Sequence, residues 1–258
     1  MDPGNPTDNL FTTPEPPPAR RPICEKCSRP NPVCLCQTLP SQPIATKTQI
    51  VIVHHPHEAH HKLSTVPVLS KCLLNSTTVI TRRLRRGLSS LLDQSPPAIY
   101  LFPPTPSSPA LTLSELPSSL DPLRSTTPVL IVFDGTWKHA KEMVSASEGF
   151  LSKFATRVCL DYDGSVSGGS IYDSELILRK EPCGGCVSTM EAVARVLRVL
   201  EPNGMDIERK LIEVLREMVS LQAQYLKPIK PRPKLSKKGK AKEKDMAAKG
   251  DDSEPLGL

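Results

Sequence analysis

Residues 129–137 read Val-Leu-Ile-Val-Phe-Asp-Gly-Thr-Trp, and the first five form the strongest β-strand signal in the chain. The apolar run is continuous rather than alternating, which is typical of a strand that is buried on both faces of a parallel sheet. It ends at Asp134 and Gly135, and residues 137–148 continue with a helical pattern. Functional groups of open α/β sheets gather at the carboxyl ends of such strands, so the pattern predicts a site around Asp134.

Strand and helix signals alternate along the rest of the chain. Strands are predicted over residues 48–54, 77–81, 98–102, 157–160 and 174–178, and helices over residues 65–74, 84–92, 188–200 and 206–225. The alternation predicts an α/β fold with a mainly parallel sheet covered by helices. Residues 103–128 are rich in Pro, Ser and Thr and are predicted to form a loop.

Composition and charge show that the two ends differ from the middle. The chain has 258 residues, 38% of them hydrophobic, which supports one main domain, but it also has 28 prolines. Residues 1–20 are Pro-rich and are expected to be disordered. Residues 227–258 contain ten Lys or Arg and five Asp or Glu, so this tail carries +5 of the net +6. We expect a disordered basic tail that adds affinity for RNA phosphates, acts as a nuclear import signal, or only keeps the protein in solution.

The lack of a recognisable signal peptide or membrane-spanning stretch, together with the cysteine spacing, favours a location inside the cell. No apolar stretch approaches the roughly 18 residues that a membrane helix needs, and the N-terminus does not resemble a signal peptide. Four of the eight cysteines lie within thirteen positions, which indicates metal binding rather than disulfides. We expect a location in the nucleus or the cytoplasm, no membrane partner, and no obligate protein partner.

The four close cysteines form a candidate metal site. They follow the pattern Cys24-x-x-Cys27 and Cys34-x-Cys36, which lets four thiolates converge tetrahedrally on one ion at about 2.3 Å. Zinc suits such ligands, and a site with four sulfurs and no open position is structural. The sequence therefore predicts a zinc-binding knuckle over residues 21–42. The alternative is four unrelated free cysteines.

Residues 54–61 read His-His-Pro-His-Glu-Ala-His-His and follow the first predicted strand. A second metal site is one interpretation, but Pro56 blocks an ordinary helix there, so no spacing guarantees that the histidines share a face. The other interpretation is that the strand end places His55 and Glu58 in a cleft while the remaining histidines face solvent. The sequence leaves the metal question open.

Two further segments carry polar groups suited to a site. Asp134 follows a buried strand, Thr136 is a good helix cap and Trp137 is the only tryptophan, although capping and core packing alone would also explain them. Residues 182–192 form a Gly-containing loop that opens a helix, with Ser188 or Thr189 as its cap. Its amides would suit a small polar ligand. The Cys183-x-x-Cys186 pair in this loop lacks the flanks typical of redox motifs.

Two basic groups complete the set of candidates. Arg82, Arg83, Arg85 and Arg86 lie close together in the sequence, and Arg179 and Lys180 precede the Gly-containing loop. Both groups would suit a phosphate backbone. The alternative for the four arginines is a solvated face of a helix.

In this combination and order, these segments resemble the DTW-domain family, which is named for an Asp-x-Thr-Trp signature. The matching residues are Cys24, Cys27, Cys34 and Cys36; His55-Pro56-x-Glu58 followed by Thr65; Asp134 to Trp137 with Ala140-Lys141; and Arg179, Pro182 and the run from Cys186 to Ala192. The resemblance spans about residues 21–225. Met190, where family members often have Leu, and the extra Cys183 are departures that leave it intact.

The resemblance implies a fold and an activity. The family is similar to SPOUT enzymes, so it implies a DTW catalytic domain over residues 43–226 with a C-terminal knot that binds S-adenosylmethionine. It further implies transfer of the 3-amino-3-carboxypropyl group of that donor to N3 of a uridine in tRNA. Two rival functions are a SPOUT-like RNA methyltransferase and a non-enzymatic, zinc-containing RNA-binding module.

Residue roles follow from the resemblance and the reaction. Asp134 is expected to be the general base, assisted by Thr136 and Trp137. Donor-binding residues are expected to be Asp134, Gly135, Arg179, Cys186, Val187, Ser188, Thr189 and Glu191. Substrate-binding residues are expected to be His55, Glu58, Arg82, Arg83, Arg85, Arg86 and Lys141.

Overall fold

A computed structural model describes residues 21–116, 129–161 and 187–225. In these ranges six strands form one sheet in the order β2-β1-β5-β3-β6-β4, and every pairing is parallel. The strands are β1 (Gln49–His54), β2 (Ser76–Ile80), β3 (Ala98–Leu101), β4 (Leu111–Thr112), β5 (Val129–Asp134) and β6 (Ala155–Cys159). The predicted α/β class with a parallel sheet is confirmed.

Helices cover both faces of the sheet. They are α1 (Val66–Cys72), α2 (Ser90–Asp93), α3 (Trp137–Leu151), α4 (Thr189–Leu200) and α5 (Gly204–Ala223). Of the described helices, none is long and apolar enough to cross a membrane.

The central strands explain why their sequences are apolar without alternation. Ile50 and Ile52 of β1 belong to one buried cluster with α1, α4 and α5, while Val51 and Val53 belong to a second cluster with α3. Both faces of β1 are therefore covered, and β5 divides its side chains between the same two clusters. The two most apolar strands, β1 and β5, are neighbours, and their carboxyl ends lie side by side.

Two contacts attach neighbouring segments to this sheet. Leu35, between the last two cysteines of the N-terminal group, is 1% exposed and packs in the same cluster as β1 and α5. The buried carboxylate of Glu201 accepts hydrogen bonds from the backbone N–H groups of Lys47 (3.0 Å) and Thr48 (2.7 Å). That carboxylate fixes the start of β1 to the end of α4.

The helix predicted over residues 84–92 is wrong except at its end. Only Ser90–Asp93 is helical, and Ser89 caps it. Gly87 has a φ of 88°, and its N–H donates to the carboxylate of Asp93 at 2.9 and 3.1 Å. This local turn, together with the hydrogen bond from the Leu84 N–H to Ser147 Oγ, replaces helical hydrogen bonds.

Other predictions fall on the remaining segments. The loop predicted over residues 103–128 contains the short strand β4, which adds to the sheet edge at β6. Residues 1–20, the predicted strand at 174–178 and the tail at 227–258 lie outside the described residues. The C-terminal knot stays a prediction, because residues 162–186 also lie outside them.

Candidate active site

Asp134 and His54 are the last residues of the adjacent strands β5 and β1, and they are paired in register. His54 Nδ1 lies 2.7 Å from Asp134 Oδ2, and both side chains are largely buried. An ionised carboxylate can only accept, so His54 Nδ1–H is the donor. The register of the parallel pairing and this hydrogen bond thus hold the carboxylate in one orientation at the carboxyl ends of the two strands.

The other oxygen of Asp134 is held by the N-terminus of α4. Thr189 Oγ1 donates a short hydrogen bond to Asp134 Oδ1. Ser188 caps the helix by accepting from the Glu191 N–H at 3.2 Å. Two segments that lie 55 positions apart, Asp134 and the start of α4, therefore meet at one site.

The three residues after Asp134 each have a definite position. A Cβ at Gly135 would lie 3.1 Å from His139 Cβ and 3.4 Å from His55 Cβ, so both histidines approach the backbone closely at this point and a larger residue would crowd His139. Thr136 caps α3 by accepting from the His139 N–H at 3.3 Å. Trp137 is half-buried, with its ring 6.2 Å from that of Phe102, and therefore braces the end of β3.

A cluster of three imidazoles lies beside Asp134, and we call His55, His57 and His139 the histidine cluster. The rings of His55 and His139 are stacked, with centroids 3.9 Å apart and planes 6° apart. His57 lies edge-on to both, at 4.9 and 5.5 Å. One ring nitrogen of each residue lies within 4.8 Å of the others. Glu58 Oε1 is 3.9 Å from His139 Nδ1.

The charge around this cluster is mostly positive. Burial lowers the pKa of His55, and the neighbouring His139, His57 and Arg82 lower it further. The Arg82 guanidinium donates to His57 Nε2 at 2.9 Å. Positive potential at this point therefore disfavours a further proton on His55.

The arginine segment, residues 82–86, is exposed at each of its four arginines. Residues 82–86 contain bends and the start of a turn but no helix, so the alternative of a solvated helix face is wrong about the helix and right about the exposure. Arg82 connects the segment to the histidine cluster. Lys141 is exposed on α3.

Two residues of this site escaped the sequence-based prediction. His54 was expected to face solvent with the other histidines, but it is 4% exposed and pairs with Asp134; His57, His60 and His61 are exposed as expected. No sequence pattern singles out His139, although it lies in the first turn after the Asp-x-Thr-Trp signature. Polar residues at the ends of two buried strands were the available signal for His54.

The cysteine cluster, Cys24, Cys27, Cys34 and Cys36, is assembled around two turns of the N-terminal segment. Cys24 Sγ lies 3.4 Å from Cys36 Sγ, and Cys27 Sγ lies 3.6 Å from Cys34 Sγ. All four sulfur atoms lie within 4.8 Å of one another. The backbone N–H of Cys27, followed by the Cys36 thiol, lowers the pKa of Cys24 to about 6. Four sulfurs so close together suit one tetrahedral ion.

Arg29 lies beside the cysteine cluster and tests whether it fits a metal. Its Nε donates to the Val33 carbonyl at 2.9 Å, while its Nη2 is buried and has no hydrogen-bond partner among the described residues. Burial lowers the pKa of Arg29, and negative charge on Cys27 and Cys34 opposes that shift. A buried cation needs a nearby anion, and thiolates bound to zinc supply one.

Some predicted site residues lie outside the described ranges, namely Arg179 and Cys186, with Lys180 and Cys183. Val187, Ser188 and Thr189 are half-buried at the start of α4. Glu191 is buried and accepts a hydrogen bond from Arg195 Nη2 at 2.5 Å.

Comparisons with known proteins identify the family of the chain. A family model described as the DTW domain matches residues 21–223. The chain is 58% identical over 236 residues to tRNA-uridine aminocarboxypropyltransferase A of Arabidopsis thaliana, covering 85% of this chain and 88% of that protein. It is 34% identical over 229 residues to tRNA-uridine aminocarboxypropyltransferase 2 of Mus musculus, covering 84% and 69%. The Drosophila melanogaster protein of that name is 32% identical over 213 residues, covering 80% and 77%. No solved structure matches the chain significantly.

Proposed function

The chain belongs to the DTW-domain family, and from that premise we propose that it transfers the 3-amino-3-carboxypropyl group of S-adenosylmethionine to N3 of a uridine in tRNA. The observation that carries the proposal is the 58% identity to tRNA-uridine aminocarboxypropyltransferase A over 88% of that protein. The buried carboxylate of Asp134 at the sheet edge supplies a group suited to the chemistry.

The reaction forms a bond between uracil N3 and the γ-carbon of the transferred group and breaks the bond from that carbon to sulfur. The N3 proton must leave, whereas methylthioadenosine departs as a neutral molecule and needs no acid. We assign the proton to Asp134 as general base. Each of its oxygens accepts one hydrogen bond, from His54 or from Thr189, and keeps a further acceptor position.

His54 and Thr189 are positioning residues in this scheme. Together they fix both oxygens of Asp134 within a buried site, so the carboxylate needs little reorganisation when the uridine is bound. Thr136 sets the start of α3, and Trp137 braces the adjoining strand. Their contribution is to the geometry around Asp134.

The donor is assigned to the region beside the end of β5 and the start of α4, where the two segments meet. The contact between Thr189 and Asp134 supports this assignment, since it brings hydroxyl groups, a carboxylate and the positive end of a helix together. Gly135, Val187, Ser188 and Glu191 lie in or next to these segments. Arg179 and Cys186 keep their proposed donor-binding roles, as does the SPOUT-like knot.

The tRNA is assigned to the exposed basic surface next to the site. Arg82, Arg83, Arg85, Arg86 and Lys141 supply positive charge there. The buried His55 and Glu58 complete the proposed set, and the His55 N–H donates to the Asp134 carbonyl at 2.9 Å. Contacts between such residues and phosphates give affinity that is independent of sequence. The basic tail at residues 227–258 would add sequence-independent affinity for phosphates of the same kind.

The cysteine cluster is proposed to hold one structural zinc ion in the knuckle at residues 21–42. The four sulfurs would be its ligands, and the Arg29 guanidinium would offset part of their negative charge. Bound zinc would cross-link the two turns. Leu35, which packs in the core cluster, would attach the cross-linked knuckle to the sheet. The catalytic step does not involve it.

The decisive experiment is to incubate the purified protein with the donor and unmodified tRNA and to analyse nucleosides by mass spectrometry. We expect 3-(3-amino-3-carboxypropyl)uridine and methylthioadenosine. Formation of a methylated nucleoside with S-adenosylhomocysteine would identify a methyltransferase instead. Absence of donor binding in calorimetry would favour a non-enzymatic RNA-binding module.

The base assignment is tested with Asp134→Asn, which can still accept from His54 Nδ1–H but cannot take a proton. We expect the rate to fall by about 10²- to 10⁴-fold while donor binding is kept. His60→Ala, an exposed change in the same neighbourhood, is the control. Full activity of Asp134→Asn would refute the assignment.

A further inference from the structure

The histidine cluster has no role in the steps above apart from His55. Three imidazole nitrogens, one from each ring, lie within 4.8 Å of one another and suggest two kinds of ligand, a divalent metal ion or an oxyanion. These ligands need opposite forms of the ring. A metal ion needs a lone pair on nitrogen, whereas an oxyanion needs an N–H donor.

The hydrogen bonds of the cluster determine which form is present. The backbone N–H of His57 donates to His55 Nδ1 at 3.2 Å, so the proton of a neutral His55 is on Nε2. Arg82 has only donors and lies 2.9 Å from His57 Nε2, so the proton of a neutral His57 is on Nδ1. In each of these neutral rings the single lone pair therefore already accepts a hydrogen bond and is not free for a metal ion, whereas the other nitrogen carries an N–H group.

The ring planes lead to the same conclusion. His55 and His139 are stacked with centroids 3.9 Å apart and planes only 6° apart, so their in-plane lone pairs lie in separate, nearly parallel planes and cannot both point at one ion. Binding one ion with both rings would require breaking this stack. The stacked arrangement instead holds His55 rigidly beside Asp134.

The surroundings of the cluster favour an anion. Arg82 contributes a guanidinium, and His139 lies in the first turn of α3, which contains no acidic residue to offset the positive end of the helix. The charges that lower the pKa of His55 are the ones that attract an anion. Glu58 is the nearby opposing charge, and it lies 3.9 Å from His139 Nδ1, on the third ring.

We propose that His57 and His55, held by His139 and joined to Arg82, form a subsite for a backbone phosphate of the substrate RNA. The phosphate is favoured over other oxyanions because Arg82 makes the histidine cluster continuous with the exposed arginine segment. The subsite lies next to Asp134, so it fixes a phosphate close to the uridine that reacts. The inference rests on the proposed function for the identity of its RNA.

The test uses the full-length, zinc-loaded protein and an unmodified tRNA transcript, with Kd measured by fluorescence anisotropy. His57→Leu removes the donor at an exposed position, and we expect the Kd to rise by about 3- to 10-fold, the usual effect of one hydrogen bond. His60→Leu, an exposed histidine three positions away, is the matched control and should leave the Kd unchanged. An unchanged Kd for His57→Leu would overturn the proposal.

The ring proton assigned to His57 gives a sharper version of this test. An Asn amide places its N–H₂ near the position of Nδ1, whereas a Gln amide places it near Nε2. We therefore expect His57→Asn to recover most of the affinity lost in His57→Leu and His57→Gln to recover little. Recovery by Gln and not by Asn would contradict the assigned proton position.

Two further measurements separate the alternative ligands. Titration with Zn²⁺ should show no second tight site, and a second equivalent that disappears in His57→Leu would show a metal site. Binding of S-adenosylmethionine and methylthioadenosine should be unaffected by His57→Leu. A loss for S-adenosylmethionine alone would assign the oxyanion to the carboxylate of the donor, against the proposal.

Failure of the proposed function has a different signature. If the wild-type protein forms no aminocarboxypropyl nucleoside, that function is refuted whatever the Kd values are. If it forms the product and His57→Leu binds tRNA normally, only the phosphate subsite is refuted.

Discussion

The cysteine cluster and the histidine cluster contain similar numbers of potential metal ligands at the same closeness, within 4.8 Å. Their surroundings differ. Beside the cysteines, the buried Nη2 of Arg29 has no hydrogen-bond partner among the described residues and is compensated only if the sulfurs are anionic. Beside the histidines, Arg82 donates to the lone pair that a metal ion would need. Closeness of ligand-type residues therefore does not define a metal site; the donors and charges around them do.

The largest effect that this comparison predicts is for the cysteine cluster itself. Cys27→Ser should abolish stoichiometric zinc and lower the free energy of unfolding by about 4 kcal/mol or more, because the metal holds both turns. The corresponding fall in Tm is about 8–16 °C for a domain of this size. Zinc content by mass spectrometry and thermal unfolding measure both quantities.

Cys159→Ser is the matched control, since Cys159 is a free cysteine outside the cluster. It should keep one zinc ion per chain. Equal zinc content in Cys27→Ser and in the wild type would show that the cysteine cluster does not hold the zinc ion.

A smaller effect is predicted for the charge beside the sulfurs. Arg29→Gln keeps an amide donor but removes the positive charge, and we expect zinc affinity to fall by about 10- to 100-fold, as for other partners of metal ligands. Competition with a chromogenic chelator measures this change. Lys26→Gln, an exposed change in the same turn, should have little effect. If Arg29→Gln retains wild-type affinity, the guanidinium serves only to hold Val33.

At the histidine cluster, Arg82→Gln should weaken tRNA binding by about tenfold through the loss of one charged contact. The slope of log Kd against log salt concentration should fall by about one. Arg209→Gln, an exposed arginine on α5, is the control. A salt slope equal to that of the wild type would show that Arg82 contacts no phosphate.

The smallest predicted effect is a gain of metal affinity by the histidine cluster. Arg82→Ala frees His57 Nε2 and removes one positive charge, so weak binding of added Ni²⁺ should strengthen by roughly fivefold, equivalent to about 1 kcal/mol. Calorimetry on the zinc-loaded protein measures it. If wild type and variant bind Ni²⁺ equally, Arg82 does not protect the histidine cluster from metals.

Much of the fold follows from local patterns. The β-branched runs of β1 and β5 and the apolar faces of α4 and α5 indicate the parallel sheet and its helices because both depend on burial. The segment at 84–92 was mispredicted because a turn closed by Asp93 competes with helical hydrogen bonds at Gly87. Apolar periodicity does not record that competition.

The candidate site was only partly predictable, for a different reason. Asp134 and Thr136 stand out because strand ends and helix caps have local signatures. The pairing of His54 with Asp134 depends on strand order and register, and hydrophobic patterns do not specify which strands are neighbours. The proton positions in the histidine cluster depend on Arg82, which reaches His57 from a different segment.

The partners of Asp134 are distant in the chain: His54 is 80 positions before it and Thr189 is 55 positions after it. Closing chain loops of this length costs conformational entropy that the contacts offset only once both ends are in place. A chain that lacks either closure would carry a solvated, misoriented carboxylate and would be inert. The appearance of activity during refolding should therefore follow the slowest step of assembly, which makes turnover a reporter of complete folding.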